Sequence, residues 1–283
     1  MKTINPSDIE VPQLHHYLLG AVGPRPICFA STVDADGNRN LSPFSFFNVF
    51  SANPPIMVFS PARSGRTNTT KNTHDNVKEV PEVVINVVDY SMVMQVSLSS
   101  SPYAKGVDEF VKAGFTPIDS ELVRPARVKE SPIQMECKVL EIKELGIEGS
   151  AGNLVICELL RMHINEEVLG LDGYVDQEKI DLVARMGGSW YCRANGDALF
   201  QMQKPITTIG VGIDKLPEKI RHSVNLTGNM LGILGSMTEL LNVQQIEEEL
   251  SKIDNREITL DKAKELIEAG NASLAYAILT KCL

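Results

Sequence analysis

PRPICFASTVDADGNRNLSPFSFFN, residues 24–48, decides the fold class. Ile27 to Val33 is a short run rich in β-branched and aromatic residues, the composition of a strand. Asp34-Ala35-Asp36-Gly37-Asn38 follows, a cluster of turn formers. From Leu41 to Val49 the chain is extended again, interrupted by Pro43. Proline cannot donate to a β ladder, which leaves backbone groups near it for a ligand, while an edge strand with ordinary core aromatics fits the same residues at least as well. Strand, turn and strand succeed one another with no helix between them.

Outward from this stretch the same texture continues. Ile56 to Ser60 and Val83 to Val88 are compact apolar runs of strand length. Ile133, Met135, Cys137 and Val139 alternate with Gln134, Glu136 and Lys138, which predicts a half-buried strand. Leu154 to Ile164 reads as a long strand, and Trp190 to Arg193 closes the set. Helical pieces fall at Thr70 to Lys78, Met92 to Leu98, and Glu109 to Ala113 before Gly114. A doubly wound sheet needs strand and helix to alternate regularly, and here they do not. The expectation is a mainly β protein with helices (α+β), built as a barrel.

After Pro205 the period changes. Ile246, Leu250 and Ile253 follow helical spacing, as do Leu260, Ala263, Leu266 and Ile267, then Leu274, Ala277 and Ile278, with Gly270-Asn271 as a stop. A domain over 1–205 with a helical C-terminal extension over 206–283 is predicted. Gly210-Val211-Gly212 is too incomplete to be a dinucleotide loop.

The formal charge of −9 argues against a nucleic-acid partner, since phosphate backbones are bound through clustered Lys and Arg. No basic start leads into an apolar signal core, and no apolar run approaches the ~20 residues of a membrane span. With 5 scattered cysteines and no Cys-x-x-Cys, a reducing, cytoplasmic setting without membrane attachment is expected. The 5 histidines show no zinc spacing, so no metal is expected.

One segment runs against the acidic excess. PARSGRTNTTKNT, residues 61–73, holds Arg63, Arg66 and Lys71, many hydroxyls and amides, and no acid. It follows a strand and runs into a helix start near Thr70, where unpaired N–H groups and a partial positive charge suit a phosphate. A solvated loop capped by threonine fits the same residues.

These pieces taken in order resemble the flavin reductase-like, FMN-binding split-barrel family. The resemblance is carried by residues 24–48, NPPIMVFS (53–60), TKNTHDNV (70–77), ESPIQMEC (130–137), ELLRMHI (158–164) and RMGGSWY (185–191). It covers roughly residues 20–200. It implies a six-stranded barrel-like domain, FMN bound without a covalent link, and a homodimer with the flavin near the subunit interface. Carried over, Ser31 and Thr32 lie beside the flavin, and Ser42, Pro43, Phe44 and Ser45 line its ring. Ser60, Arg66, Lys71 and Thr73 hold the phosphate; Arg185, Gly188 and Tyr191 close the pocket. Where the family shows Lys-Asp-Thr this chain has Lys71-Asn72-Thr73. His163 is the candidate catalytic group, against a purely structural role at a strand end.

The resemblance implies an NAD(P)H-dependent flavin reductase, with NADH or NADPH passing hydride to flavin N5 and a redox protein or monooxygenase as a further partner. A flavoredoxin-like electron carrier with tightly bound FMN requires the same pocket and stands as the alternative.

Overall fold

Asp34 makes the first turn. Its carboxylate accepts from the Asn38 backbone N–H at 2.8 Å and side-chain amide at 2.9 Å, and Gly37 takes φ +88°. The flanking strands β1 (Cys28–Val33) and β2 (Arg39–Phe44) therefore pair antiparallel, with Cys28 opposite Phe44 and Val33 opposite Arg39. Pro43 lies within β2, opposite Phe29, and β2 is an edge strand, where a missing donor costs nothing.

The computed structural model describes residues 1–202 and 208–283 and divides into two units, Met1–Phe200 and Gln201–Leu283. The boundary expected between 205 and 206 lies outside the described residues. In the first unit, β3 (Phe47–Ala52), β4 (Pro55–Phe59) and β5 (Glu82–Val87) follow β2. After the two-residue strands β6 (Pro117–Ile118) and β7 (Arg127–Val128) come the long β8 (Ile133–Glu144) and β9 (Asn153–Ile164). The sheet has seven strands in the order β2-β1-β5-β8-β9-β4-β3, all neighbours antiparallel.

β2 and β3 are the two edges, yet only Ser45 and Phe46 separate them in the chain. Six strand spacings in a flat sheet would place the edges about 29 Å apart. Three residue steps reach about 11 Å. The sheet must curl until its edges nearly meet, and the seam between β2 and β3, crossed by the chain at Ser45–Phe46, is the split of a split barrel. The strand count is seven rather than the six implied by the resemblance.

Pleating sends alternate β1 residues to two cores. Cys28 and Ala30 point inside the curl with Phe44, Phe59 and Ile85. Ile27 and Phe29 point outside, where α3 (Val93–Ser99) and α4 (Glu109–Ala113) cover them through Val96 and Phe110. Both faces are covered, so every residue of β1 is buried.

Two expectations need correction. Gln134 and Glu136 of β8 are buried rather than exposed, because the chain at 119–127 lies over that face and donates to both side chains. Trp190 to Arg193 does not join the barrel. β11 (Tyr191–Ala194) pairs only with β10 (Leu182–Arg185), in a separate hairpin. Two further helices of this unit are α1 (Val11–Ala21), without a buried residue, and α2 (Asn72–Glu79).

The second unit is helical: α5 (Glu218–Arg221), α6 (Gly228–Gly235), α7 (Val243–Leu250), α8 (Leu260–Glu268) and α9 (Ala272–Cys282). Leu274 to Leu279 of α9 are all buried, so this helix forms the centre and the others wrap it. Gly210 is a packing glycine. A Cβ there would lie 2.5 Å from the Gly235 carbonyl, which explains its place in an incomplete Gly-x-Gly.

Candidate functional site

The seam at Ser45–Phe46 gathers segments far apart in sequence. Ser60, one residue past β4, donates its N–H to the Phe46 carbonyl at 2.9 Å. The cation-rich bend therefore starts at the seam. Its root is pinned to the tip of the β8–β9 hairpin: Arg63 N donates to Ala151 O at 2.9 Å and Ser150 N to Arg63 O at 3.2 Å. The Asn153 backbone N–H donates to Ser60 Oγ at 3.0 Å, and its side-chain amide to Pro61 O at 2.9 Å. The approach is close enough that a Cβ at Gly149 would lie 3.2 Å from Ser64 O. Ser150 takes φ +70°, a conformation that costs a non-glycine residue roughly 1 kcal/mol or more and persists where surroundings impose it.

Beyond this root the bend turns outward. Arg63 folds back on it, Nε donating to Asn68 Oδ1 at 2.7 Å. Arg66 and Lys71 are exposed, and among the described residues neither pairs with a carboxylate. Lys71 is also the N-cap of α2, and no side chain caps that helix. The His74 N–H donates to Lys71 O at 2.9 Å, which leaves the Asn72 and Thr73 N–H groups available to an anion. Asp75, the acid of that turn, accepts from Thr70 Oγ1 at 3.1 Å. The bend thus brings two exposed cations and an uncapped helix start to the β2 side of the sheet, where Thr73 bonds Asn40, a donor set of the kind that suits a phosphate.

The other residues named for this site are placed less directly. Thr73 is buried and donates its hydroxyl to Asn40 Oδ1 at 2.7 Å. A hydroxyl has one proton, so this side chain cannot also donate to a phosphate; its backbone N–H can. Phe44 points into the inner core, its ring 5.6 Å from that of Phe59, which leaves its main chain for the seam. Ser42, Pro43 and Ser45 are half-buried along the edge. Ser31 and Thr32 are fully buried beneath it; Thr32 Oγ1 accepts from Asn76, and Ser31 Oγ has no partner. Ser60 is buried, but its hydroxyl proton remains available.

Arg185, Gly188 and Tyr191 sit together on the β10–β11 hairpin. The Arg185 guanidinium lies 4.6 Å over the Tyr191 ring and donates to Gly188 O at 2.9 Å. Arg25 ties this hairpin to the seam. Its main chain exchanges two 2.9 Å bonds with Arg185, and its Nε lies 3.4 Å from Ser45 Oγ. Between α1 and the hairpin an open groove of about 670 Å³ is lined by His16, Gly20, Met186, Trp190 and Tyr191.

His163 is not in this group. It pairs with Gln134, on the outer face of the sheet, away from Met135 and Cys137 of the inner core. Its Nε2 lies 2.7 Å from Glu136 Oε1. Burial pushes the Glu136 carboxyl up, but the N–H groups of Glu121 and Leu122 together with His163 outweigh it and hold the group below the usual carboxylate range.

Sequence reasoning missed Arg25, Asn40, Asn153 and Glu109. Glu109 is buried and accepts from the Asn40 amide and Leu41 N, each at 3.0 Å, supporting from behind the asparagine that holds Thr73. These residues act through partners more than 60 positions away or across the sheet, and no local spacing marks them.

Known proteins share this fold. Component B of nitrilotriacetate monooxygenase from Bacillus cereus is 29% identical at TM-score 0.66, covering 71% of this chain and 98% of its own. The 2-nitrobenzoate 2-nitroreductase NbaA of Pseudomonas fluorescens is 25% identical at TM-score 0.65, with 75% and 100% covered. A split-barrel protein from Shewanella frigidimarina, named as a flavin reductase, is 28% identical at TM-score 0.60, with 70% and 95% covered. The flavin reductase like domain matches residues 21–179, a span that holds the curled sheet, its seam and the cation-rich bend. This chain belongs to the flavin reductase like domain family.

Proposed function

We propose that the protein is an oxidoreductase that binds FMN at the barrel seam and uses NADH or NADPH as electron donor. One observation supports the reading: the uncapped start of α2, with Lys71 as its N-cap and Arg66 on the preceding bend, is tied to the edge strand β2 by the Thr73–Asn40 hydrogen bond. Arg66, Lys71, Ser60 and the first-turn N–H of Thr73 would hold the phosphate, and the main chain from Ser42 to Ser45 the ring. Bound FMN supplies a hydride acceptor at its N5 position. The protein's part is to fix the ring edge, leave one face open for the nicotinamide and keep cations near the pyrimidine end.

Two measurements test this. Mixed anaerobically with NADH or NADPH, the FMN-loaded protein should bleach within seconds. Bleaching only by a reduced protein donor would replace the reductase reading with an electron-carrier one.

A homodimer is part of the same proposal. The edge strand β3 exposes Val49 and Phe50, α1 buries nothing, and Trp190 is 76% exposed, an apolar surface that suits a second copy. Light scattering should give about twice the chain mass of 31.1 kDa; a single-chain mass at micromolar concentration would overturn the dimer. Released in a cytoplasmic setting, the reduced flavin would serve a monooxygenase or redox protein.

A further inference from the structure

Arg25 is a buried cation without an opposite charge. The residue is 5% exposed. Its guanidinium donates to the carbonyls of Leu19 at 2.7 Å, Val22, and Met186 at 2.9 Å, all neutral acceptors. Of the two N–H groups left, Nε points at Ser45 Oγ in the seam. Among the described residues no carboxylate pairs with it. Its charged neighbour is Arg185, of the same sign, and burial together with Arg185 lowers its proton affinity. It stays charged nonetheless, because a guanidinium does not deprotonate in a protein.

Removing a cation from water with no counter-charge is costly, and placing a second cation beside it adds to that cost. Leu19 and Val22 lie at the C-terminal end of α1, whose dipole favours a cation but supplies no full counter-charge. The arrangement suits an anion that arrives from outside, on the Ser45 side. A hydride carries two electrons and one proton, so a neutral ring system that receives one becomes an anion.

We propose that Arg25 is a positioning residue whose charge, acting through the Ser45 edge of the seam, favours the reduced, anionic form of the bound flavin over the oxidised one. This rests on the FMN reading above.

The test compares full-length wild type, Arg25→Gln and Arg25→Lys, each loaded with FMN, by redox titration and by affinity for oxidised and reduced FMN. In Arg25→Gln the preference for reduced over oxidised FMN should fall about tenfold, which lowers the midpoint potential by about 30 mV. Arg25→Lys keeps the charge but not the three-carbonyl fork. It should melt earlier while holding the wild-type preference within a factor of two. An unchanged potential in Arg25→Gln, or an equal drop in Arg25→Lys, overturns the proposal and leaves a structural clip. Should Arg25→Gln fail to fold, Arg25→Lys decides alone: a retained potential supports the charge and a tenfold shift overturns it. Wild type that binds no FMN would sink the function reading first, a different result from wild type that binds FMN with a potential indifferent to residue 25.

Discussion

Replacing both Arg66 and Lys71 by alanine should weaken FMN binding on the order of 100-fold or more while leaving the fold intact. A hydrogen bond to a charged group is worth about 1.5–3 kcal/mol, and two such losses exceed the ~2.7 kcal/mol of a hundredfold change. Neither side chain is buried or ion-paired among the described residues, so their removal exposes no core and orphans no partner. The melting temperature should therefore stay within about a degree. Titration of protein into FMN, followed by quenching of flavin fluorescence, reads the affinity directly. A dissociation constant within twofold of wild type would show that the phosphate is held elsewhere, and the reading of the bend as an anion site would fail.

Glu136→Ala should cost about 3–5 kcal/mol of stability, and His163→Ala only about 1–2 kcal/mol with no loss of flavin reduction. Glu136 is 0% exposed. Its carboxylate accepts from Glu121 N at 2.9 Å, Leu122 N at 2.6 Å and His163 Nε2 at 2.7 Å. Alanine would strip the acceptor from two backbone donors and an imidazole at once, and detach the 119–127 segment from the sheet. The pH dependence follows from the lowered Glu136 pKa. A carboxyl held below its unfolded value of about 4.3 contributes stability that is present above that pH and lost as pH falls through the folded value. Wild type should lose melting temperature more steeply than Glu136→Gln below about pH 4.3. Reduction slowed more than tenfold in a well-folded His163→Ala would return that histidine to the chemistry.

What the sequence disclosed was set by how local each signal was. The Asp34–Asn38 turn, the strand before it and the stop at Gly114 (φ +73°) are written in neighbouring residues and form where expected, whereas the extended run read from Leu41 to Val49 divides into β2 and β3. The cations of the bend stood out because they oppose the charge of the chain. The curl of the sheet was hidden. Nothing in residues 39–52 says that two strands two residues apart lie at opposite edges of seven. Burial of Glu136 was hidden too, since the alternation of β8 reports pleat and not what covers each face. Thr73 matched its motif, but its hydroxyl direction depends on Asn40, 33 positions away. α1 escaped notice because its apolar residues face no core of its own unit and so lack a buried stripe.

The bend at 61–73 is fastened at its two ends, by the hairpin tip at its root and by the Thr73–Asn40 bond where it enters α2. Such bonds are indifferent to which side chains lie further out. Residues 66–71 can therefore vary in charge and length while the barrel beneath keeps its stability. On such a scaffold the outer positions are free to change which anion the bend suits without disturbing the sheet beneath.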